Sequence, residues 1–509
     1  MEDWGGEDGE RGWRVSWQFH ERAQKEVYRK LKARQRPEAV VGAGWGFLDH
    51  FFIFLFSLGF FARVDFRLKR VKRVMVPAVL MILTYEVKQL MGISSMNQLE
   101  EHLFRDTALL KVIGFTARQI QEGFCQRGKG KRRGPMHRDT LADFLSRFTA
   151  KEVDFILEEA VRVLVKHKLV RGKTYILDAT DLPTTKRYWG CGVKKVVKKV
   201  RNRQGQEVEV VEYVYGYKLL VLLEARHKLV VAARLVKIQE HEKKFTKRLV
   251  QEAQERTGGG VKVLLVDRGF IDGVLLWWLW KKRKIHFVIP ARSNMEVSQD
   301  LRGFRSEEAD GQRVFWEERG KEVKVLGVRG LLSYDQFGEE GHKRRKGRKD
   351  FRANPINGIM VVRWAGKEYA AGEEKVFLTS LSVGRPLQVL EQYDLRSEIE
   401  NQGFRELKQG YHLLKYPQKT GSAIRAHAVL TLVIYSLVNA YKSQRGQRLA
   451  HLGIRRWRGK QRGQSIHKMI VYYEGIYGIV DVEELFYLMD MTPKELYRMK
   501  IKKFQRELE

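Results

Sequence analysis

The sequence predicts an α/β protein in which a mixed β-sheet, covered by helices, lies between a helical N-terminal region and a small helical C-terminal region. Apolar residues recur at intervals of three and four through residues 13–170, which is typical of helices. From residue 173, β-like runs alternate with helical segments, which indicates a sheet with helices on its faces. Because 509 residues exceed one ordinary core, we expect about three or four structural units.

The N-terminal part is predicted to comprise a loose acidic tail, residues 1–12, and a helical DNA-binding or scaffold region, residues 13–170. The tail lacks the pattern of a secretory signal. The longest apolar run, residues 51–62, is shorter than the roughly 20 residues of a bilayer span, so we interpret it as a buried helix and expect no membrane partner. The glycine-punctuated basic segment 126–135 fits a DNA backbone and a plain solvated loop equally well.

Residues 171–294 have the pattern of the first part of a core domain. The predicted elements are a strand ending at Asp178, two hairpin strands, a helix, a strand ending at Asp267, a helix and a strand, at residues 173–178, 207–223, 229–237, 242–256, 261–267, 273–282 and 285–290. This order of elements predicts an RNase H-like core.

Three further segments complete the predicted organisation. Residues 295–385 form four β-like runs around the basic tract 342–349, and we interpret them as a β-rich insertion. Residues 386–445 supply the second part of the core, with a helix that carries Glu400 and an apolar helix, 423–442, expected to pack on the sheet. Residues 446–509 are predicted to be a basic linker and a small helical region.

The charge balance favours polyanionic partners. The chain has 96 Lys and Arg residues against 61 Asp and Glu residues, a net charge of +35 and a pI near 10.0. A soluble basic protein, or one bound to ribosomes, remains an alternative on charge alone. The two cysteines, Cys125 and Cys191, support neither a disulfide framework nor a structural zinc site, which indicates a reducing interior.

One segment, residues 393–408, combines groups that phosphodiester chemistry uses. Tyr393, Arg396 and Glu400 stand at i, i+3 and i+7, which share one face of an α-helix. A carboxylate for a metal ion beside donors for phosphate oxygens suits a reaction that depends on positioning and charge neutralisation. We therefore interpret this segment as half of an active site.

Two strand-end aspartates extend this candidate site. Asp178 and Asp267 each follow an apolar strand, and ligands collect at that edge of open sheets. With Glu400 they make three carboxylates that could hold two Mg²⁺ ions, although each acid alone is more often a turn former or a surface charge. Asp181 is a second candidate for the first position, and Arg268, beside Asp267, is expected near phosphate.

These residues resemble the DDE transposases of bacterial insertion elements, in the branch with a Tyr-Arg-Glu-Lys signature. The likeness covers about residues 100–445. The resemblance implies cleavage at the element's ends and strand transfer into target DNA, with Mg²⁺, or Mn²⁺ in its place, on Asp178, Asp267 and Glu400. It also implies phosphate contacts by Tyr393, Arg396 and Lys408, a homodimer on the terminal inverted repeats, and a prokaryotic cytoplasmic, nucleoid-associated location.

The Lys position departs from the family pattern. Seven residues separate Glu400 from Lys408 where the family has six, which would rotate Lys408 by about 100° on a regular helix. The extra residue is absorbed by a π-bulge near Gly403, or the role passes to Arg405.

Other features have a structural interpretation beside the functional one. The tryptophans Trp277, Trp278 and Trp280 are expected to pack in a helical core, while Trp316 or Trp364 of the insertion is a candidate to hold a flipped base. Glu242 is interpreted as a charge at a helix N-terminus or as an auxiliary acid. A structure-selective RNase H-like nuclease and a non-catalytic DNA-binding protein are the alternative functions.

Overall fold

A computed structural model describes residues 21–43, 47–71, 76–124, 134–201, 207–307, 313–316, 321–334, 354–364, 366–370, 372–451, 468–490 and 501–503. The predicted tail, nearly all of the basic segment 126–135, the basic tract 342–349 and most of the basic linker lie outside these residues. The chain divides into two compact units. We call residues 164–405 the core unit, and residues 1–163 together with 406–509 the helical unit.

The strands, numbered along the chain, are β1 (Glu21–Arg22), β2 (Ala39–Ala43), β3 (Thr174–Thr184), β4 (Gly192–Arg201), β5 (Glu207–Glu224), β6 (Leu229–Lys237), β7 (Val263–Val266), β8 (His286–Pro290), β9 (Arg313–Trp316), β10 (Lys321–Leu331), β11 (Ile356–Trp364), β12 (Lys367–Glu368), β13 (Lys375–Thr379), β14 (Lys468–Tyr473), β15 (Ile476–Asp481) and β16 (Ile501–Lys503).

The α-helices are α1 (Gln24–Lys32), α2 (Phe47–Ser57), α3 (Phe60–Val71), α4 (Ala78–Leu90), α5 (Leu99–His102), α6 (Thr107–Ile113), α7 (Ala117–Glu122), α8 (Arg138–Ser146), α9 (Ala150–Lys166), α10 (Lys243–Arg256), α11 (Gly273–Trp277), α12 (Glu296–Glu307), α13 (Pro386–Glu398), α14 (Gly421–His451) and α15 (Val482–Met489). Three segments are π-helical: Trp278–Lys282, Ile399–Phe404 and Glu406–Gly410.

The core unit is built on one mixed sheet. Its centre has the strand order β6, β5, β3, β7, β8, in which β3 is antiparallel to β5 and parallel to β7, and β7 is parallel to β8. Helix α10 connects β6 to β7, and α11 connects β7 to β8, so the parallel strands have helical crossovers. This is an RNase H-like core, as the order of predicted elements indicated.

The β-rich segment 295–385 continues the same sheet. Strand β13 pairs antiparallel with β8, and β11, β10 and β9 follow outward in that order. All four predicted runs of this segment correspond to strands. The buried apolar residues of β10 and β11 give these strands a packed face, which stabilises the extension.

At the end of the strand order opposite to β9, the sheet continues into a two-stranded ribbon that the sequence analysis did not predict. Strand β5 has 18 residues, and its first half pairs with β4, whereas its second half pairs with β3 and β6. The ribbon leaves the sheet at Gly216. A Cβ atom there would lie 2.4 Å from the carbonyl oxygen of Leu182 on β3, so this close backbone approach requires glycine.

The helical unit has its own core around α14. Within this unit the helix contacts α2, α4 and α8. Most of its apolar side chains between Ala423 and Tyr441 are buried, as expected for a helix that is apolar all round. Among the described residues, its Gly421–Gln444 part is the one helix long and apolar enough to cross a membrane, and 83% of the qualifying window is buried inside the protein. The apolar run 51–62, predicted as one buried helix, is divided between α2, which ends at Ser57, and α3, which begins at Phe60.

The predicted small helical C-terminal region contains strands as well as a helix, so the prediction is wrong for residues 468–481. Residues Lys468–Tyr473 and Ile476–Asp481 form a hairpin whose turn contains Gly475 in the left-handed region, and α15 follows directly after it. Apolar and β-branched residues favour strands when a partner is available. That partner includes β2, from the beginning of the chain, in a five-stranded sheet packed against α1 and α15.

Candidate active site

Asp178 and Asp267 are neighbours because of the register between β3 and β7. The parallel pairing ends with Leu177 beside Val266, so the next residue of each strand is an aspartate. Adjacent strands lie about 4.8 Å apart, which brings the two acids together at one edge. The sequence predicted that the strand ends at Asp178. This is wrong, because β3 continues to Thr184 against β5.

One guanidinium joins the two carboxylates. Nη2 of Arg396 lies 3.3 Å from Oδ2 of Asp178 and 3.6 Å from Oδ1 of Asp267. The side chains of Arg396 and Asp178 are 9% and 8% exposed, whereas that of Asp267 is 39% exposed. The other oxygen of Asp178 accepts a hydrogen bond from the backbone N–H of Ala179 at 2.8 Å. The aspartate pair is therefore a cation-binding arrangement that is open to solvent on the Asp267 side.

Asp181, the second candidate for the first acid, lies on the other face of β3. Three residues along a strand reverse the direction of the side chain. Its carboxylate lies 3.7 Å from Nζ of Lys194 on the ribbon, and its side chain is 44% exposed. The structure thus brings Asp178, and not Asp181, to Asp267.

Helix α13 carries Arg396 and is fixed to the sheet by several contacts. Gln392 donates a hydrogen bond from Nε2 to Oγ1 of Thr174 on β3, over 2.9 Å. The ring of Tyr393 lies 4.9 Å from that of Phe377 on β13, and the guanidinium carbon of Arg396 lies 6.0 Å from the Tyr393 ring centre. Tyr393 and Arg396 therefore share the face that their i, i+3 spacing predicted.

The helix that holds Glu400 changes its winding at that residue. Residues Ile399–Phe404 are π-helical and contact β3, which agrees with the π-bulge expected near Gly403. The side chain of Glu400 lies outside the described part of the chain. Arg405, exposed, ends the core unit, whereas Lys408, half-buried, belongs to the second π-helical segment in the helical unit.

The comparisons with known proteins identify the family. Residues 171–437 match the model of the transposase DDE domain. This chain is a DDE transposase. The resemblance seen in the sequence is therefore confirmed. A comparison with curated proteins gave no match.

Among solved structures, the transposase is similar to a piggyBac transposase in a synaptic complex with hairpin DNA. The TM-score is 0.34 and the sequence identity 10%, over 86% of this chain and 80% of that chain.

The remaining predicted residues of the transposase have separate surroundings. Arg268 is exposed directly after Asp267, in a short 3₁₀ turn. Glu242 precedes α10 and accepts a hydrogen bond from Nζ of Lys218 at 2.6 Å. Burial favours a higher pKa for Glu242, but the Lys218 hydrogen bond and charge outweigh it and lower the pKa. Lys218 faces Asp181 across β3 and β5, so this ion pair lies on the sheet face opposite Asp178.

The tryptophans follow the packing interpretation only in part. Trp277, Trp278 and Trp280 are each partly buried, and lysine or arginine side chains lie over their rings. Trp364 is partly buried with Nζ of Lys375 lying 5.7 Å from its ring centre, while the Trp316 side chain is outside the described set. The contact between Arg396 and the aspartates escaped the sequence analysis, because the family pattern directed attention to phosphate instead.

Proposed function

We propose that this transposase cuts DNA at the ends of its own element and joins them to target DNA, with Asp178, Asp267 and Glu400 as ligands of divalent metal ions. The observation that carries the proposal is the position of the Arg396 guanidinium, within contact distance of carboxylate oxygens from two strands. Two acids that converge on one positive charge provide the donor type that a hard divalent cation prefers.

The described donors fit Mg²⁺, with Mn²⁺ as a substitute. Asp178 and Asp267 offer oxygens, and the exposure of Asp267 leaves room for metal-bound water and substrate phosphate. Among the described side chains no group of three His, Cys, Asp or Glu residues is placed to hold a metal. We propose Glu400 as the third ligand. When bound, the ions lower the pKa of an attacking water or 3′-hydroxyl and stabilise the departing oxygen.

The other residues would bind and orient the DNA strand. Arg268 is exposed beside Asp267 and is suited to a phosphate oxygen. Tyr393 and Arg396 share the helix face above the aspartates, so they can hold the phosphate next to the scissile bond. Arg405 and Lys408 are candidates for a more distant phosphate contact, with the π-helical turns setting their directions.

We infer double-stranded DNA, both terminal inverted repeats and target, as the partner, and a homodimer as the working form. The net charge of +35 supports a polyanionic partner. The location that fits this activity is the prokaryotic cytoplasm, in association with the nucleoid.

The test uses DNA that carries the ends of the element, identified as inverted repeats flanking the reading frame. Asp178→Asn, Asp267→Asn and Glu400→Gln should each reduce Mg²⁺-dependent cleavage to background and retain DNA binding, because they remove a metal ligand and leave the basic surface intact. Asp181→Asn is the matched control and should keep cleavage, since its side chain lies on the other face of β3.

Two results would reject this proposal. Cleavage without strand-transfer products would favour a structure-selective nuclease built on the same core. Full activity of the Asp267→Asn protein would favour a DNA-binding protein whose acids are structural.

A further inference from the structure

Three polar side chains form a buried chain of hydrogen bonds in the helical unit. Gln89 and Tyr85 lie on α4 and His427 lies on α14, and each residue is at most 1% exposed. Nε2 of Gln89 donates to the hydroxyl oxygen of Tyr85 at 2.6 Å, and that hydroxyl is hydrogen-bonded to Nδ1 of His427. Nε2 of His427 lies 2.9 Å from the carbonyl oxygen of Leu413. None of these side chains belongs to the aspartate pair or to the proposed phosphate contacts.

The partners of His427 fix the direction of these hydrogen bonds. A carbonyl oxygen only accepts, so Nε2 of His427 carries a proton. Burial lowers the pKa of His427 to about 3, so the ring is neutral and Nδ1 accepts from the Tyr85 hydroxyl. The hydrogen bonds therefore run in one direction, from Gln89 to the carbonyl of Leu413. A satisfied buried chain of this kind fixes one arrangement of the side chains and backbone that it joins.

The last residue of this chain is hydrogen-bonded to the backbone beside Lys408. The N–H of Leu413 donates to the carbonyl oxygen of Leu407, the residue before Lys408, at 3.0 Å. Leu407 and Lys408 belong to the π-helical segment Glu406–Gly410, which contacts α14. Leu407 and Leu413 are buried, whereas Lys408 is half-buried. His427 thus holds the stretch of backbone from which the Lys408 side chain extends.

A strained residue lies in the same stretch. His412 has a φ of 52°, in the left-handed region that is unfavourable for residues with a side chain. Nε2 of His412 lies 3.0 Å from the carbonyl oxygen of Gly92, after the end of α4. A conformation of this kind persists only where the surrounding contacts enforce it. The side chains of His412 and His427 supply such contacts at two consecutive residues, His412 and Leu413.

We propose that His427 is a positioning residue, which holds Lys408 in the direction required for its contact with a DNA phosphate. The inference rests on the proposed phosphate contact of Lys408. A lysine ammonium lies on a flexible stem, so a fixed backbone reduces the freedom that is lost when the side chain binds.

Packing alone does not account for the buried chain. Apolar side chains in place of Tyr85 and His427 would fill a similar volume without the cost of burying polar groups. What the polar chain adds is a directional bond to one backbone carbonyl, and that carbonyl belongs to the residue tied to Leu407.

The test measures how salt changes the affinity for a duplex that carries one end of the element. Each phosphate contact contributes about 0.9 to the slope of log affinity against log salt concentration. We expect Lys408→Ala to lower this slope by about that amount and to weaken binding about tenfold. His427→Leu should have the same two effects, because the lysine is present but displaced. In the double variant the slope should fall no further, since both changes remove one contact.

Milder variants separate positioning from a loss of folded protein. His427→Gln keeps an N–H group that can donate to the Leu413 carbonyl, so it should retain most of the slope. Tyr85→Phe keeps the ring packing and removes the donor to Nδ1, and it replaces His427→Leu in the same comparison if that protein does not fold. Thr84→Val is the matched control, because this buried hydroxyl of α4 donates to the Leu80 carbonyl of its own helix. It should leave the slope unchanged.

The proposal is overturned if the effects of His427→Leu and Lys408→Ala on the slope add, or if His427→Gln is no better than His427→Leu. An equal loss in Thr84→Val would also overturn it, by assigning the effect to stability. A wild-type slope in Lys408→Ala would overturn it too, and would remove Lys408 from the phosphate contacts while leaving the aspartate site untouched. Because binding needs no cleavage, a wild type that fails to cut DNA would reject the proposed function without changing this measurement.

Discussion

Arg396 holds a positive charge between two acids that would otherwise repel each other. Its guanidinium contacts Asp178 and Asp267, and all but Asp267 are almost fully buried. Two neighbouring carboxylates without a cation raise the free energy of the folded core unit. A divalent cation satisfies the same two carboxylates, so the guanidinium and the metal are alternative partners for them.

This exchange predicts a metal-dependent effect of Arg396→Gln. Without metal, the variant should lose about 2 kcal/mol of stability, because a buried ion pair is broken while the solvent on the Asp267 side limits the loss. Mg²⁺ should restore much of this loss. Thermal unfolding with and without Mg²⁺ measures both values, and Arg405→Gln, an exposed residue at the end of the same helical segment, is the control. An equal loss with and without Mg²⁺ contradicts the exchange.

Glu86, on α4 of the helical unit, is a buried carboxyl group. Neither of its carboxylate oxygens has a hydrogen-bond partner within the described part of the chain, and burial raises its pKa to about 8. The folded protein therefore keeps a proton that the unfolded chain releases above about pH 4.5. A group of this kind makes the folded state less stable as the pH rises from about 4.5 to 8.

Glu86→Gln should remove this pH dependence. The stability of the variant relative to the wild type should rise between pH 5 and 8, by up to about 1.4 kcal/mol per pH unit. Denaturant unfolding at several pH values measures this difference. Burial also lowers the pKa values of Lys88 and His427, but their effects on stability cancel because both proteins contain these residues. A difference that stays constant with pH would show that Glu86 is ionised in the folded protein.

At the scale of elements, the β4–β5 ribbon shows how long-range pairing overrides a local pattern. Val193, Val196, Val197 and Val200 have the i, i+3, i+4, i+7 spacing of an amphipathic helix. They form a strand because β5 provides a complete hydrogen-bonding edge. One consequence is that the valines are divided between both faces of the ribbon, which leaves Val193, Val197 and Val200 exposed.

Gly216 should be essential where this ribbon leaves the sheet. Gly216→Ala would place a Cβ atom against the backbone of β3, which cannot move without breaking the pairing of β3 with β5. We expect a loss of about 1–3 kcal/mol in thermal or denaturant unfolding. Gly303→Ala is the matched control, because the Cβ atom meets nothing within 4 Å and alanine favours its helix, α12. Unchanged stability of the Gly216→Ala protein would show that the ribbon junction can relax.

On the scale of the whole molecule, the net charge of +35 sets the response to salt. If the protein neutralises six to ten phosphates, its affinity for a duplex should fall about 10³–10⁵-fold between roughly 50 and 200 mM salt. A fluorescence titration over this range measures the slope, and two duplexes of unrelated sequence should give similar slopes. An affinity that is independent of salt would rule out charge as the main source of DNA binding.

Sequence alone determined the RNase H-like order of strands and helices, the β-rich segment between Asp267 and Glu400, and the family. Apolar periodicity and acids at strand ends are local signals, so they can be recognised in the sequence without knowledge of the fold. Only the tertiary structure decided that Asp178 rather than Asp181 lies beside Asp267, because a register of two strands distant in sequence sets that choice. The tertiary structure also decided that Arg396 contacts the two acids, that residues 192–201 form strand β4, and that a hairpin forms near the C-terminus. In each case contacts with residues distant in sequence outweigh the local conformational preference of the segment.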